Sequence, residues 1–260
     1  MRKGLGVWTA ADCALVLIDY QNEIDFSAPT GDAGMSERVA IVAGAAGDLG
    51  RATAQKLAAA GFTVVGLDRS EDALKQLPSS IRYEVGDPTD PTVAKTLIDR
   101  IATEVGPPEV LVNTIGTYHQ GDALDATPED LRLMIDVNAG TALWLTQAVA
   151  PHMRERGSGA IVHVAARPGL EPSAGMATYS VSKAALVHLT RVLDLELRPL
   201  GIRVNAVAPQ LIDTAKNRPY LPPDVLAHAV SPEAIAEVIA YLVSDAATPI
   251  SGAVVPAYGA

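Results

Sequence analysis

Tyr179 and Lys183 stand four residues apart in Tyr-Ser-Val-Ser-Lys (179–183), a spacing that places both side chains on one face of a helix. A phenol with an ordinary pKa of about 10 is a poor base at neutral pH. A neighbouring ammonium would favour the phenolate and make the group a usable general acid/base. Taken alone, the pair fits a surface contact as well. A second chemical signal lies upstream in Ala43-Gly44-Ala45-Ala46-Gly47-Asp48-Leu49-Gly50. Small residues there let the backbone approach a pyrophosphate, and the following helix start offers free N–H groups and a favourable dipole. Asp68 follows at the distance where a carboxylate can accept hydrogen bonds from an adenosine ribose. It would repel a 2′-phosphate, which favours NAD over NADP. Arg69 is the competing signal, able to receive that phosphate or to lie solvated beside adenine. Asp48 would oppose a pyrophosphate if it pointed inward, so it is expected to cap the helix and face solvent.

These residues need a frame that brings them together, and the hydrophobic pattern supplies one. Val39–Ala43 reads as a first strand, followed by the glycine loop and a helix over about Leu49–Ala60 that Gly61 stops. Further strands are expected at Thr63–Leu67, Ile81–Val85, Val110–Asn113, Ala160–Val164, Arg203–Ala208 and Ala253–Val255. A long helix opens at Pro128 and runs to about Met153, another covers about Thr178–Leu197, and a third spans 232–243. Continuous apolar strands separated by helices imply a parallel sheet buried on both faces. The fold class is therefore α/β, a Rossmann-type doubly wound sheet with right-handed crossovers in a single domain. That domain is expected over 35–260, beginning at Met35, with 1–34 as an N-terminal arm or linker ending in the turn-rich stretch 25–34.

Composition narrows the functional classes. The 260 residues are 48% hydrophobic and 19% charged, enough apolar content for a sizeable core. Thirty acidic residues against 20 basic ones give a net charge of −10, which disfavours a nucleic-acid partner. Cys13 is the single cysteine, so no intrachain disulfide and no thiolate metal cluster is expected, which suits a reducing cytoplasm. The apolar run Cys13–Ile18 is bracketed by Asp12 and Asp19 and is shorter than the roughly 7–15 residues of a secretory core. No uninterrupted run reaches the about 18 apolar residues of a membrane span. A cytoplasmic enzyme of a small molecule, holding no metal and touching no membrane, is the expectation.

In chain order the glycine loop, Asp68, Asp87, Asn113-Thr114-Ile115-Gly116, Asn138 and Tyr179/Lys183 are followed by Val204–Pro209 with Thr214, then Ser251-Gly252-Ala253. From about residue 36 to 260 this series resembles the short-chain dehydrogenase/reductase family. The resemblance implies that Tyr179 is the acid/base, that Lys183 binds the nicotinamide ribose and lowers the Tyr179 pKa, and that Asn138 holds a water in a proton relay. It implies that Gly44, Asp48 and Leu49 meet the pyrophosphate and that Asp68 and Arg69 meet the adenosine ribose. Asp87 and Pro88 would lie beside adenine, Asn113 and Gly116 along the adenosine side, and Pro209, Ile212 and Thr214 beside the nicotinamide. A homo-oligomer, tetramer or dimer, packed through the helices around Asn138 and Tyr179, is implied as well.

Three positions depart from the family pattern. Asp48 and Gln210 stand where glycine is usual, and Ala166 stands where the catalytic serine is expected, 13 residues before the tyrosine. Loss of one such donor to the reacting oxygen typically costs about two to three decades of rate. His119, His163, Arg167 and Gln210 are the polar side chains near enough in sequence to substitute, each equally readable as a structural or solvent-facing group. Dihydropteridine reductases of the same family also lack the serine, so a C=N substrate fits alongside a carbonyl or alcohol. A low-turnover, cofactor-binding protein is the rival from another class. The stretch between Thr214 and Ser231 is short for the family's substrate lid, and Pro219, Pro222 and Pro223 stiffen it. Residues 14–23 resemble the first strand of isochorismatase-like hydrolases, with Asp19 at that family's catalytic aspartate, but no room remains for the rest of such a domain. The two families act in succession on cyclic diols, which adds such diols to the substrate candidates.

Overall fold

The structure is a computed structural model that describes residues 38–220 and 222–259. The arm assigned to 1–34, the domain start at Met35 and the hydrolase-like segment 14–23 lie outside the described residues.

Seven parallel strands form one sheet in the order β3-β2-β1-β4-β5-β6-β7. They are β1 (Val39–Ala43), β2 (Thr63–Asp68), β3 (Arg82–Val85), β4 (Pro108–Asn113), β5 (Gly159–Val164), β6 (Ile202–Pro209) and β7 (Val254–Ala257). Every residue of β1 is buried because both faces of the sheet are covered. Ala40 and Val42 point to one layer, joined by Leu49, Leu57, Ile235 and Ile239 from helices α1 (Asp48–Ala59) and α8 (Pro232–Val243). Val39 and Ile41 point to the other, with Leu97, Ile101, Leu145 and Leu193 from α3 (Pro91–Glu104), α5 (Thr141–Arg156) and α6 (Ala177–Leu197). Each buried branched side chain contributes about 1.5–3 kcal/mol relative to exposure, which is why alternate residues on one strand hold two helical layers.

The Rossmann-type fold class read from the sequence is the fold observed, and all seven strands lie within two residues of their expected bounds. Short helices also occur at α2 (Glu71–Leu74) and α7 (Pro223–Leu226). Three helical features depart from the reading. Helix α3 has no counterpart in it, although Asp90 caps the helix by accepting from the N–H groups of Thr92 (2.7 Å) and Val93 (3.3 Å), with Pro91 in the first turn. The single helix expected from Pro128 is α4 (Pro128–Ile135), a π turn over Asp136–Gly140, and then α5. Asp48 does not cap α1; Gly47 is the cap residue and no side chain accepts there. Asp48 is nonetheless exposed, as expected. β1 pairs with β2 on one side and β4 on the other, so the chain reverses direction at β1 and leaves a crevice beyond the strand ends.

Candidate active site

A cavity of about 710 Å³ occupies that crevice. Of the expected cofactor residues, Gly44, Asp68, Arg69, Asp87, Pro88 and Gly116 line it. Gly44 adopts φ +84°, open to glycine, and a Cβ there would crowd Thr114 Oγ1, which donates to the Ala43 carbonyl at 2.8 Å. Gly50 sits so close to Gly44 that any Cβ would overlap the Gly44 carbonyl. The loop is thereby pressed against the uncapped start of α1, leaving that helix's first N–H groups without a side-chain acceptor.

Asp68 ends β2, and its carboxylate accepts from Ala46 N–H (3.2 Å) and Ser70 N–H (3.1 Å). It thus ties the glycine loop to the strand end while facing the cavity. Arg69 lies 3.8 Å from the Asp87 carboxylate. Asp87 is held below the usual carboxylate range, first by the Thr89 hydroxyl, which donates at 2.7 Å. The sequence reading missed Ser70, Ala73, Thr89, Thr117, Leu133, Val137 and Lys216 as cavity residues. Ser70, Thr89 and Thr117 each lie one residue beyond a position it named, whereas Lys216 carries no local signal.

Other expected contacts do not line the cavity. Leu49 turns into the core, and Asp48 points to solvent from the first turn of α1. Asn113 is buried, its carboxamide oxygen accepting from Ile115 N–H at 3.0 Å, so it shapes the turn that presents Gly116. Pro209 is buried at the end of β6. Ile212 accepts from the Asn217 carboxamide at 3.0 Å, and the Thr214 hydroxyl accepts from Asn217 N–H at 3.1 Å.

The chemical group lies behind Gly116. Lys183 is buried, and its Nζ donates to the Val164 carbonyl at 2.8 Å while lying 6.0 Å from the Tyr179 ring centre. A Cβ on Gly116 would stand 3.2 Å from that Nζ and 3.0 Å from Asn138 Oδ1. Burial pushes the Lys183 ammonium down to about 8 and, with Tyr118 adding to it, pushes Tyr179 up to about 12. The lowering of Tyr179 expected from Lys183 is therefore not met in this structure, where desolvation of the phenol dominates. Tyr118 crosses the Tyr179 ring edge-on at 5.0 Å between centres.

Asn138 is fully buried in the π turn. Its amide donates to the Thr117 carbonyl and to Ser182 Oγ, both at 3.0 Å, and its oxygen accepts from Thr117 N–H at 2.9 Å. Both amide hydrogens are committed, so the side chain braces Thr117 and α6 instead of holding a water through them.

Ala166 is buried immediately after β5 and offers no donor. Of the four polar candidates, His163 turns into the core, 3.4 Å from Thr146 Oγ1, and burial with the nearby Lys183 charge depresses it to about 4. His119 faces Asp130 at 4.0 Å. Arg167 donates to Gln210 (2.8 Å) and Glu171 (2.9 Å) and lies over the Tyr258 ring, so these two candidates form one hydrogen-bonded unit. Among the described residues no group of acids, histidines or cysteines is placed to hold a metal ion, and no helix is long and apolar enough to cross a membrane.

Residues 38–223 match the short chain dehydrogenase family. The chain belongs to that family of oxidoreductases. It is 37% identical over 241 residues to cis-4-hydroxycyclohexanecarboxylate dehydrogenase of Sinomonas cyclohexanicum, covering 86% of this chain and 96% of that one. It is 30% identical over 239 residues to 4-formylbenzenesulfonate dehydrogenase of Comamonas testosteroni, covering 84% and 95%. Its fold superimposes on NAD⁺-bound xylitol dehydrogenase with a TM-score of 0.80 at 27% identity, covering 86% of this chain and 98% of that chain.

Proposed function

We propose that this protein is an NAD-dependent oxidoreductase that moves a hydride between nicotinamide and a small carbonyl or alcohol substrate. The observation that carries the reading is the position of Lys183, whose buried ammonium backs the cavity wall at Gly116 and lies beside the Tyr179 ring. The residues fit a dinucleotide. The uncapped α1 start and the glycines pressed against it suit a diphosphate, and the Asp68 carboxylate suits an unphosphorylated ribose. Asp68 opposes a 2′-phosphate by like charge, and Arg69, the group that would receive one, is already beside Asp87. When bound, the cofactor supplies or accepts the hydride.

The chain's own groups do the rest. Tyr179 carries its proton at neutral pH and gives it to the substrate oxygen during reduction; its phenolate takes the proton back during oxidation. Lys183, after donating to Val164, keeps two N–H donors for a ribose hydroxyl and the phenolic oxygen. Ala166 leaves the reacting oxygen one donor short. The relatives named for a ring alcohol and a ring aldehyde support a ring-bearing substrate, which accommodates the cyclic diol and C=N alternatives.

Calorimetry with NAD and NADP, followed by turnover on ketones, ring alcohols, cyclic diols and imines, tests the reading. NAD is expected to bind tighter than NADP. Tyr179→Phe is expected to cut turnover by about 10²–10⁴-fold with NAD affinity unchanged. Undiminished turnover in that variant would end the mechanism. NAD binding without turnover, in both the wild type and Ala166→Ser, would favour the cofactor-binding protein instead.

A further inference from the structure

Two cations line the cavity, Arg69 and Lys216, and they reach it from opposite directions. Arg69 follows β2 and lies beside Asp87, beyond β3. Lys216 follows β6, which is two strands removed from β4 in the sheet, so its segment folds back over the strand ends to face the glycine loop.

The turn that carries Lys216 is stitched in place. Asn217 N–H and Arg218 N–H both donate to the Thr214 carbonyl at 3.0 Å, and the Asn217 carboxamide donates to Ile212. Asp213 N–H donates to Val230, and the Asp213 carboxylate accepts a two-pronged contact from Arg218 at 2.6 and 3.0 Å. The neighbouring cation is therefore neutralised within the turn, whereas Lys216 forms no ion pair among the described residues. The acids of the cavity are committed elsewhere, Asp68 to two backbone N–H groups and Asp87 to Thr89 and Arg69. Lining the cavity with Lys216 are Gly44, Ala46 and Gly47, the loop that leads into the uncapped start of α1 at Asp48. An anion there would have the first N–H groups of α1 on one side and the Lys216 ammonium on the other. A chain of net charge −10 with Asp48 beside the loop gains from such a counter-charge.

We propose that Lys216 is a diphosphate-binding side chain, closing over the dinucleotide from the segment after β6 and neutralising the charge seated on the glycine loop. This rests on the dinucleotide reading above and adds a residue to it. The contact is a point charge on an exposed, flexible stem, so it should be worth less than a buried pair and should weaken with salt.

Titration calorimetry of the full chain and of Lys216→Gln, with ADP and separately with adenosine, at low and high salt, tests it. ADP affinity is expected to fall by about three- to tenfold in the variant at low salt and by less at high salt, as for a partly exposed charge pair. Adenosine affinity is expected to stay constant, and Lys216→Arg should retain most ADP binding. Because the side chain is exposed, the thermal midpoint without ligand should not move. Unchanged ADP affinity in Lys216→Gln, or equal losses for ADP and adenosine, would overturn the assignment. Failure of the wild type to bind either ligand would overturn the dinucleotide reading itself and the assignment with it.

Discussion

Burial, with Tyr118 adding to it, pushes the Tyr179 phenol up to about 12, and this sets the sign of the expected pH dependence. In the proposed mechanism reduction uses the protonated phenol, present throughout the neutral range, so its rate should be flat from about pH 6 to 8. Alcohol oxidation needs the phenolate and should rise with pH, then bend above about 8 as Lys183 loses the charge that supports it. A flat oxidation profile in rate-against-pH measurements would contradict both assignments. His163 titrates in the opposite functional sense, through stability. Its folded value of about 4 lies below the ordinary 6.5, so the unfolded chain binds the extra proton. The stability it contributes is complete above pH 6.5 and is lost as pH falls towards 4. His163→Asn should flatten that part of the stability curve in urea melts at each pH, while costing stability at pH 7 through the lost packing. At this scale the sequence shows Tyr179, Lys183 and Asp68 because helix spacing and strand ends are local patterns. Their environments are not local: the Tyr118 edge contact, the Thr117 clamp on Asn138 and the depressed His163 all depend on residues brought in from other elements.

Elements carry the site through two tight approaches. The first is β1, the loop and α1, where Gly50 leaves no room for a Cβ against the Gly44 carbonyl, whereas a Cβ on Gly47 would stand 3.4 Å from the same oxygen, an ordinary contact. Gly50→Ala should therefore destabilise the fold by about 1–3 kcal/mol and weaken NAD binding, while Gly47→Ala should fold with nearly wild-type stability. Thermal unfolding and calorimetry of both variants check this, and equal midpoints would refute the packing argument. The second approach is the π turn at Asp136–Gly140, which seats Asn138 between Thr117 and Ser182. A π turn keeps helical periodicity on both sides, so the sequence reads as one helix through it. Helix α3 was legible in principle, with Asp90 and Pro91 at its start and Ala94, Leu97, Ile98 and Ile101 on its buried face. The strands were easier to place because burial on both faces makes each a continuous apolar run.

The whole molecule adds what no single element shows, namely that the site is assembled from both halves of the sheet, and that helix α6 serves two surfaces at once. Its inner face buries Ser182, Lys183, Leu186 and Leu193. Its outer face carries Val181, Ala184, His188, Arg191 and Leu195 at helical spacing, and Val181 and Leu195 are 54% and 69% exposed. Leu131 on α4, which packs along α6, is exposed as well. At about 1.5 Å per residue and about 10 Å in width, the 21 residues of α6 and the 8 of α4 together offer roughly 400 Å², about half of the about 800 Å² per partner of a stable interface. The homo-oligomer inferred from family resemblance would cover this face by pairing it with its own copy, the arrangement that two-fold symmetry favours. Light scattering should then give a mass of two or four chains, and Val181→Asp with Leu195→Asp should shift it towards one by placing charges at the centre of the contact. Since α6 also holds Tyr179 and Lys183, dissociation should lower turnover as well. A wild-type chain that runs as a monomer at all concentrations would refute the oligomer.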